Sequence, residues 1–375
     1  MLSNNNPSLV LHGIGDLRIE DRPTPSVSAH EALVAVTKTG ICGSDVHYLK
    51  HARIGHYVME EPMCLGHESA GTVVQVGAAV KGLKTGDRVA MEPGVGCGTC
   101  DLCREGRYEL CPAMSFAATP PSTLGTLARY YALPSHLLHP LPDNVSFEDG
   151  AMMEPLSVGV HSVKTLGRCS TNEVVIVFGA GPIGLLCMAV AKALGARRVI
   201  AVDIMQEKLD FALGYAATDV FLPPAKLADE GLEAYAARAV DELSKKLAVP
   251  EVGPGGIQLA IEASGAPSCV HMGCLALSPG GRYVQVGMGA QSSVPVPLFH
   301  IISRELQILG SFRYGPGAYQ LAISLVERGL VDVKPLITQR YAFLDSGAAF
   351  EATKLGRDVD GKTVIKCIID GPLAE

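Results

Sequence analysis

The amino-acid sequence predicts an α/β chain in two parts, a barrel-like antiparallel β domain followed by a doubly wound parallel sheet. Three observations predict it. From about Ser8 to Gly150, short alternating or apolar runs are separated by Gly and Pro turns, with almost no long helical pattern. From about Val158, apolar strands alternate with helix-forming stretches, the rhythm of parallel strands joined by crossover helices. Within that second part, residues 174–191 form an eighteen-residue stretch without charge that carries three regularly spaced glycines.

Taken in order, the first part gives strands at residues 32–36, 71–76, Arg88–Met91 and 128–132, with turns such as residues 80–87 between them. In the second part, Val174–Phe178 is β-branched or aromatic throughout, as a strand buried on both faces should be. Gly179, Gly181 and Gly184 follow at G-x-G-x-x-G spacing. Residues 185–194 are then helix-forming, and Gly195 closes them as a C-cap. A second apolar strand, Arg198–Val202, ends in Asp203, nineteen residues after Gly184. Further strands at 219–222, 258–262, 282–286 and 306–310 bring the total to six, the number in a full doubly wound dinucleotide domain. Residues 227–247 read as a solvated helix of mixed charge and 252–256 as a surface turn. After Phe312, a helix near 318–328 and a strand at 363–368 are expected to return to the first part.

Strand, glycines, helix, strand and acid, in that order, specify a dinucleotide site. The first glycine allows a tight turn and the second lets backbone approach a pyrophosphate. The third lets helix pack on strand, with the phosphates at the helix N-terminus. An acid at Asp203 accepts both ribose hydroxyls and repels a 2′-phosphate, which selects NAD over NADP. A membrane helix of the same length would leave Asp203, Lys192, Arg197 and Arg198 without purpose.

The composition fits this frame. A chain of 375 residues with 48% hydrophobic and 18% charged residues has ample core for two domains or one large one. The net charge of -7 is mild and leaves no basic footprint, so nucleic acid is not an expected partner. Residues 1–13 lack a basic region followed by an apolar run, which makes the cytoplasm the expected location and a membrane an unexpected partner.

Eleven cysteines without a secretory signal point to metal or core use rather than disulfides. Cys97, Cys100, Cys103 and Cys111 crowd one loop in which Gly94, Gly96, Gly98 and Gly106 let backbone fold around an ion. That spacing matches a closed tetrahedral zinc site, with an iron–sulfur cluster as the rival. All four ligands come from the protein, so the role is structural. Cys64, Cys169, Cys187, Cys269, Cys274 and Cys367 read as small core residues. A second constellation joins Cys42, in Gly40-Ile41-Cys42-Gly43-Ser44-Asp45-Val46-His47, to His67 and Glu68 and to Glu154 between Met153 and Pro155. One thiolate, one imidazole and two carboxylates suit Zn²⁺ with a position left for water or substrate.

The motifs GICGSDVHY, LGHESAG, the four-cysteine lobe, MMEPLSV, FGAGPIG and GSFRYGPGAY lie in order along the chain. Together they resemble the zinc-dependent medium-chain dehydrogenase superfamily in its polyol dehydrogenase branch, over essentially the whole length. Within that branch, residues 119–121, 127–131 and 312–317 are most similar to xylitol dehydrogenases (D-xylulose reductases), with sorbitol and L-arabinitol dehydrogenases as close relatives. The resemblance implies a GroES-like β-barrel catalytic domain over residues 1–157, a Rossmann NAD-binding domain over 158–312, and a return segment over 313–375.

By position, the resemblance implies catalytic zinc ligands Cys42, His67 and Glu68, with Glu154 binding zinc directly or through its water. Ser44 and His47 match a proton relay, and Tyr48, Arg313 and Tyr314 match residues lining a polyol site. Gly179, Gly181, Ile183, Gly184, Asp203 and Lys208 match cofactor contacts, as do Val286, Gly287, Met288, Ser311, Phe312 and Arg313. Leu49 departs from relatives that carry tryptophan there, and the chain contains no tryptophan. The implied activity is zinc-assisted hydride transfer from a polyol secondary alcohol to NAD, xylitol to D-xylulose first and sorbitol or L-arabinitol as alternatives. The implied complement is one catalytic and one structural Zn²⁺ per chain in a homotetramer. A non-catalytic NAD(H) sensor should lack the zinc ligands, and a zinc-independent quinone or enoyl reductase lacks the Cys42, His67, Glu68 set.

Overall fold

The computed structural model describes residues 5–289, 291 and 293–372. Two compact units divide the chain: one runs to Glu154 and resumes at Gly315, the other spans Pro155–Tyr314.

The first unit opens with β1 (Asn5–Gly13) and β2 (Asp16–Pro23), an antiparallel hairpin. β3 (Glu31–Gly40) follows and leads into α1 (Gly43–His51). After it come β4 (Glu68–Val76), β5 (Arg88–Met91), β6 (Tyr130–Pro134) and β7 (Leu138–Pro140). α1 was not expected in a part read as strands and turns. It forms because Asp45 lies in its first turn and Lys50 and His51 in its last, complementing the helix dipole, while Val46 and Leu49 bury one face. The fourth strand expected in this part lies two residues later than its sequence pattern suggested, at Tyr130–Pro134 rather than 128–132.

The second unit contains β8 (Val174–Phe178), α2 (Pro182–Ala193), β9 (Arg198–Val202) and β10 (Asp219–Phe221). α3 (Leu232–Leu247), β11 (Ile257–Glu262), α4 (Pro267–Ala276), β12 (Leu277–Gln285) and β13 (Gln307–Gly310) complete it. Its parallel sheet has the order β10-β9-β8-β11-β12-β13, the doubly wound order with β8 at the switch point. Val174–Phe178 and Arg198–Val202 match the expected strands because both read as near-continuous apolar runs, and β8 is buried throughout. α2 starts at Pro182, earlier than expected, since proline is preorganised for the first helical position. Gly195, just past its end, has φ 89°, the left-handed stop expected of it. β12 begins five residues before the expected strand, taking in the Pro279-Gly280-Gly281 turn-like sequence.

The chain then re-enters the first unit through α5 (Ala318–Glu327), β14 (Ile337–Tyr341) and β15 (Lys366–Asp370). β15 pairs antiparallel with β3 and parallel with β14, so the sheet order is β7-β5-β4-β3-β15-β14, with β6 also on β3. The late strand starts at Lys366 rather than 363. The register sets Gly40 opposite Glu68 on one side and Ile368 on the other, which brings β15 beside the motif expected to bind metal. Among the described residues no helix is long and apolar enough to cross a membrane.

Candidate active site

The first cluster forms where β3, α1 and β4 meet. Cys42 caps the start of α1, His67 precedes β4 and Glu68 is its first residue. Their donor atoms, one thiol, one imidazole and one carboxylate, all lie within 4.8 Å of one another. Gly40 leaves room beside them: a Cβ there would stand 2.2 Å from Glu68 Oε2 and push that carboxylate out of place. Glu154 lies outside this donor group, buried at 6% exposure.

Two residues not singled out from the sequence hold the cluster. Asp45, fully buried, accepts through Oδ2 from the Cys42 N–H (3.0 Å) and through Oδ1 from the Gly66 N–H (3.2 Å). Its Oδ1 also stands 3.5 Å from His67 Nδ1, which leaves Nε2 on the side of Ser44 Oγ, also 3.5 Å away. The pair is the carboxylate–histidine arrangement that orients a metal-binding imidazole. Lys366, 3% exposed, donates to Glu68 Oε1 (2.8 Å) and Oε2 (2.7 Å) and to the Ile41 carbonyl (2.9 Å).

The field here favours positive charge. Burial alone would lower the pKa of His67, but Asp45 and then Cys42 outweigh it and raise it well above the ordinary histidine value. Burial likewise opposes a charged Lys366, yet Glu68, Cys42 and Glu154 raise its pKa. Burial would also raise Asp45; His67 and the two backbone donors lower it instead. Thiol, imidazole and carboxylate in a pocket that stabilises cations fit a Zn²⁺ ion.

Ser44 and His47 lie on α1, Ser44 half-buried and His47 exposed, so the helix leads from the cluster to solvent. Partial burial lowers the pKa of His47, helped by the nearby positive charge of His51 and Lys50. Tyr48 on the same helix is buried. In the second unit, Tyr314 is buried, and Arg313, in the left-handed region at φ 54°, stacks its guanidinium over the Phe312 ring at 4.7 Å.

The second cluster is the four-cysteine loop, whose sulfurs also lie within 4.8 Å of one another. Sulfurs 2.3 Å from one tetrahedral ion stand about 3.8 Å apart, and Cys100 Sγ is 3.8 Å from Cys111 Sγ. An iron–sulfur cluster would have to fit between sulfurs spaced for one ion, so the spacing favours a single zinc. The Cys100 N–H points at Cys97 Sγ (3.3 Å) and the Cys97 N–H at Cys111 Sγ (3.4 Å), as donors around thiolates do. The Thr99 hydroxyl and N–H, with the Cys100 N–H, pull the Cys97 thiol down to about 5.

In the second unit the glycine loop takes the geometry its spacing demands. Gly179 has φ 94°, and a Cβ on Gly184 would strike the Gly179 carbonyl at 1.8 Å, so helix and strand pack only without side chains there. Around Gly181 nothing lies within 4 Å of such a Cβ, leaving backbone open to a phosphate. Asp203 accepts from the Ala180 N–H (2.8 Å) and the Met205 N–H (3.0 Å), which fixes the carboxylate after β9. Ile183 and Lys208 are half-buried on the helices following β8 and β9. Val286 and Gly287 donate to the Glu262 carbonyl, both at 2.8 Å, and Ser311 donates to the Gln285 carbonyl at 2.8 Å. Met288 and Phe312 are exposed. This arrangement fits a dinucleotide.

Comparison with known proteins agrees with this chemistry. The alcohol dehydrogenase GroES-like domain family matches residues 28–143 and the zinc-binding dehydrogenase family matches residues 182–328. The chain belongs to the zinc-dependent medium-chain dehydrogenases, in their polyol branch, and is an oxidoreductase. It is 50% identical over 366 residues to "Probable D-xylulose reductase A" of Aspergillus fumigatus, covering 97% of this chain and 98% of that one. It is also 50% identical over 361 residues to D-xylulose reductase A of Aspergillus niger, covering 96% of each. Among solved structures, an Escherichia coli oxidoreductase of unknown specificity superposes with TM-score 0.84 at 32% identity, over 98% of this chain and 100% of that one. An Escherichia coli alcohol dehydrogenase complexed with NADH gives TM-score 0.83 at 26% identity, over 98% of this chain and 100% of that one.

Proposed function

We propose that this chain oxidises a polyol secondary alcohol to a ketose with NAD as hydride acceptor, and that xylitol, giving D-xylulose, is its principal substrate. The observation that carries the chemistry is the convergence of Cys42, His67 and Glu68 donor atoms within 4.8 Å, in a chain that also has a dinucleotide fold. Zinc supplies a Lewis acid that eases loss of the alcohol proton, and the nicotinamide supplies the hydride acceptor. The protein's own residues hold and move the rest. Cys42, His67 and Glu68 hold the metal, with Glu154 joining directly or through a water, and Asp45 and Lys366 fix His67 and Glu68. Ser44 takes the substrate hydroxyl proton and hands it outward to His47, whose lowered pKa keeps the ring neutral and able to accept it. Tyr48, Glu154, Arg313 and Tyr314 bind the polyol hydroxyls. Asp203 reads the ribose and so favours NAD over NADP. The four cysteines hold a second, structural zinc.

The choice of xylitol rests on the 50% identity to the Aspergillus reductases across nearly the whole chain. A cytoplasmic location is supported by all eleven cysteines being free, as a reducing compartment keeps them. Assembly into a homotetramer is supported by the edge strand β13, which leaves Ile308 45% exposed, and by the exposure of Leu298 at 61%, Phe299 at 84% and Ile302 at 65% in the helix Leu298–Ser303 before it. Steady-state NADH formation with xylitol, sorbitol and L-arabinitol tests the reading. Xylitol should give the highest kcat/KM; a higher value for either competitor reassigns the substrate, and no NAD reduction with any of them removes the reading.

A further inference from the structure

Glu262 ends β11 with its side chain fully buried. It is a carboxylate in an apolar sheet, and its register partner across the sheet is Gln285 at the end of β12. Oε1 accepts from the Ser264 N–H (2.8 Å), the Ser264 hydroxyl and the Gly265 N–H (3.0 Å). Oε2 accepts from the Gly265 N–H (2.9 Å) and the Gln285 amide (2.6 Å). The Tyr283 hydroxyl donates to Gln285 Oε1, and the same Gln285 amide nitrogen donates to the Gly287 carbonyl (2.7 Å). Both carboxylate oxygens act only as acceptors, as in the ionised form. Every one of these partners is neutral, and among the described residues no cation pairs with this buried, hydrogen-bonded carboxylate.

The carboxylate ties two loops together. One, residues 263–266, follows β11; the other, residues 286–289, follows β12. They approach so closely that a Cβ on Gly287 would stand 2.4 Å from the Gly265 nitrogen and one on Gly289 would stand 2.2 Å from the Gly265 carbonyl oxygen. Both loops leave the carboxyl ends of strands in the half of the sheet beyond the switch point. The glycine loop and Asp203 occupy the other half, so a dinucleotide lying across the sheet puts its second nucleoside here.

We propose that Glu262 is a positioning residue for the nicotinamide half of the cofactor site, holding loops 263–266 and 286–289 together while its uncompensated negative charge favours the oxidised, cationic ring over the reduced, neutral one. This rests on the dinucleotide reading above. It concerns the balance between the two redox forms of the cofactor, which hydrogen-bonding shape alone does not set.

Calorimetric titration of the zinc-loaded protein with NAD⁺, NADH and ADP-ribose, which lacks the nicotinamide, tests it. Glu262→Gln keeps the size and removes the charge. The Kd for NAD⁺ should rise about tenfold relative to that for NADH, the scale of one charge acting through a protein-like dielectric, with ADP-ribose binding unchanged. An unchanged NAD⁺ to NADH ratio, or an equal loss of all three ligands, overturns the proposal. Should that variant fail to fold, Gln285→Met decides, since it keeps the charge and removes the amide that ties Glu262 to the Gly287 carbonyl. It should weaken NAD⁺ and NADH together and spare ADP-ribose; no loss, or an equal loss of ADP-ribose, overturns the positioning role. Failure of the unaltered protein to bind NADH at all would instead sink the dinucleotide reading and would be seen before any variant is made.

Discussion

Asparagine at position 45 would disturb the metal cluster without removing a ligand. Asp45 Oδ2 accepts from the Cys42 N–H, and Oδ1 accepts from the Gly66 N–H and faces His67 Nδ1. An asparagine has one acceptor oxygen and one NH₂ group, so in either orientation an NH₂ meets a backbone N–H in a fully buried place. Leaving such donors unpaired costs about 1–3 kcal/mol of stability. Loss of the carboxylate that orients His67 should weaken zinc binding by about 10–100-fold, roughly 1.4–2.8 kcal/mol. The assay is a chelator competition followed by metal analysis, with denaturant unfolding in parallel. Asp45→Asn should lose the catalytic zinc at lower chelator concentration than wild type and keep the four-cysteine zinc. Wild-type zinc affinity and stability in the variant would refute the positioning role assigned to Asp45.

Asp203→Ser removes the acid after β9 proposed to exclude a 2′-phosphate, so kcat/KM with NAD should fall while that with NADP rises. Comparable values with both nucleotides in the unaltered protein would show that Asp203 does not read the ribose. A separate prediction concerns Glu148, held below the ordinary carboxylate value chiefly by its two hydrogen bonds from Arg340, both 2.8 Å, with Lys38 nearby. A lowered folded-state pKa adds stability above the unfolded value and loses it as pH falls through the folded one. Glu148→Gln should therefore be less stable by about 1 kcal/mol at neutral pH, and the deficit should vanish in acid. Urea unfolding from neutral pH into the acid range checks this, and a deficit that persists unchanged in acid would contradict it.

The parallel sheet was the most legible part of the chain. Strands buried on both faces carry unbroken apolar runs, so Val174–Phe178 and Arg198–Val202 could be bounded to the residue. The glycine spacing added a chemical reason independent of hydropathy. The convergence of Cys42, His67 and Glu68 was legible, because residue type and motif name them as candidate ligands. Its supports were not. Asp45 lies three residues from Cys42, and the signal that could have found it was an acid placed to accept from a helix-start N–H beside a histidine ligand. Lys366 lies 298 residues from Glu68, and nothing in the sequence around it marks a partner. Only the pairing of β15 with β3 brings the two together. α1 was missed because its buried face is two apolar residues, a tyrosine and an aspartate, too mixed to show a helical stripe.

The most direct test of the account is metal content measured together with xylitol-dependent NADH formation, for wild type and for Cys42→Ser. Wild type should carry zinc at both sites and turn over. Cys42→Ser should keep the four-cysteine zinc, lose the other and produce no NADH. A Cys42→Ser protein that retains both ions and the wild-type rate would contradict the assignment of Cys42, His67 and Glu68 as the catalytic metal centre.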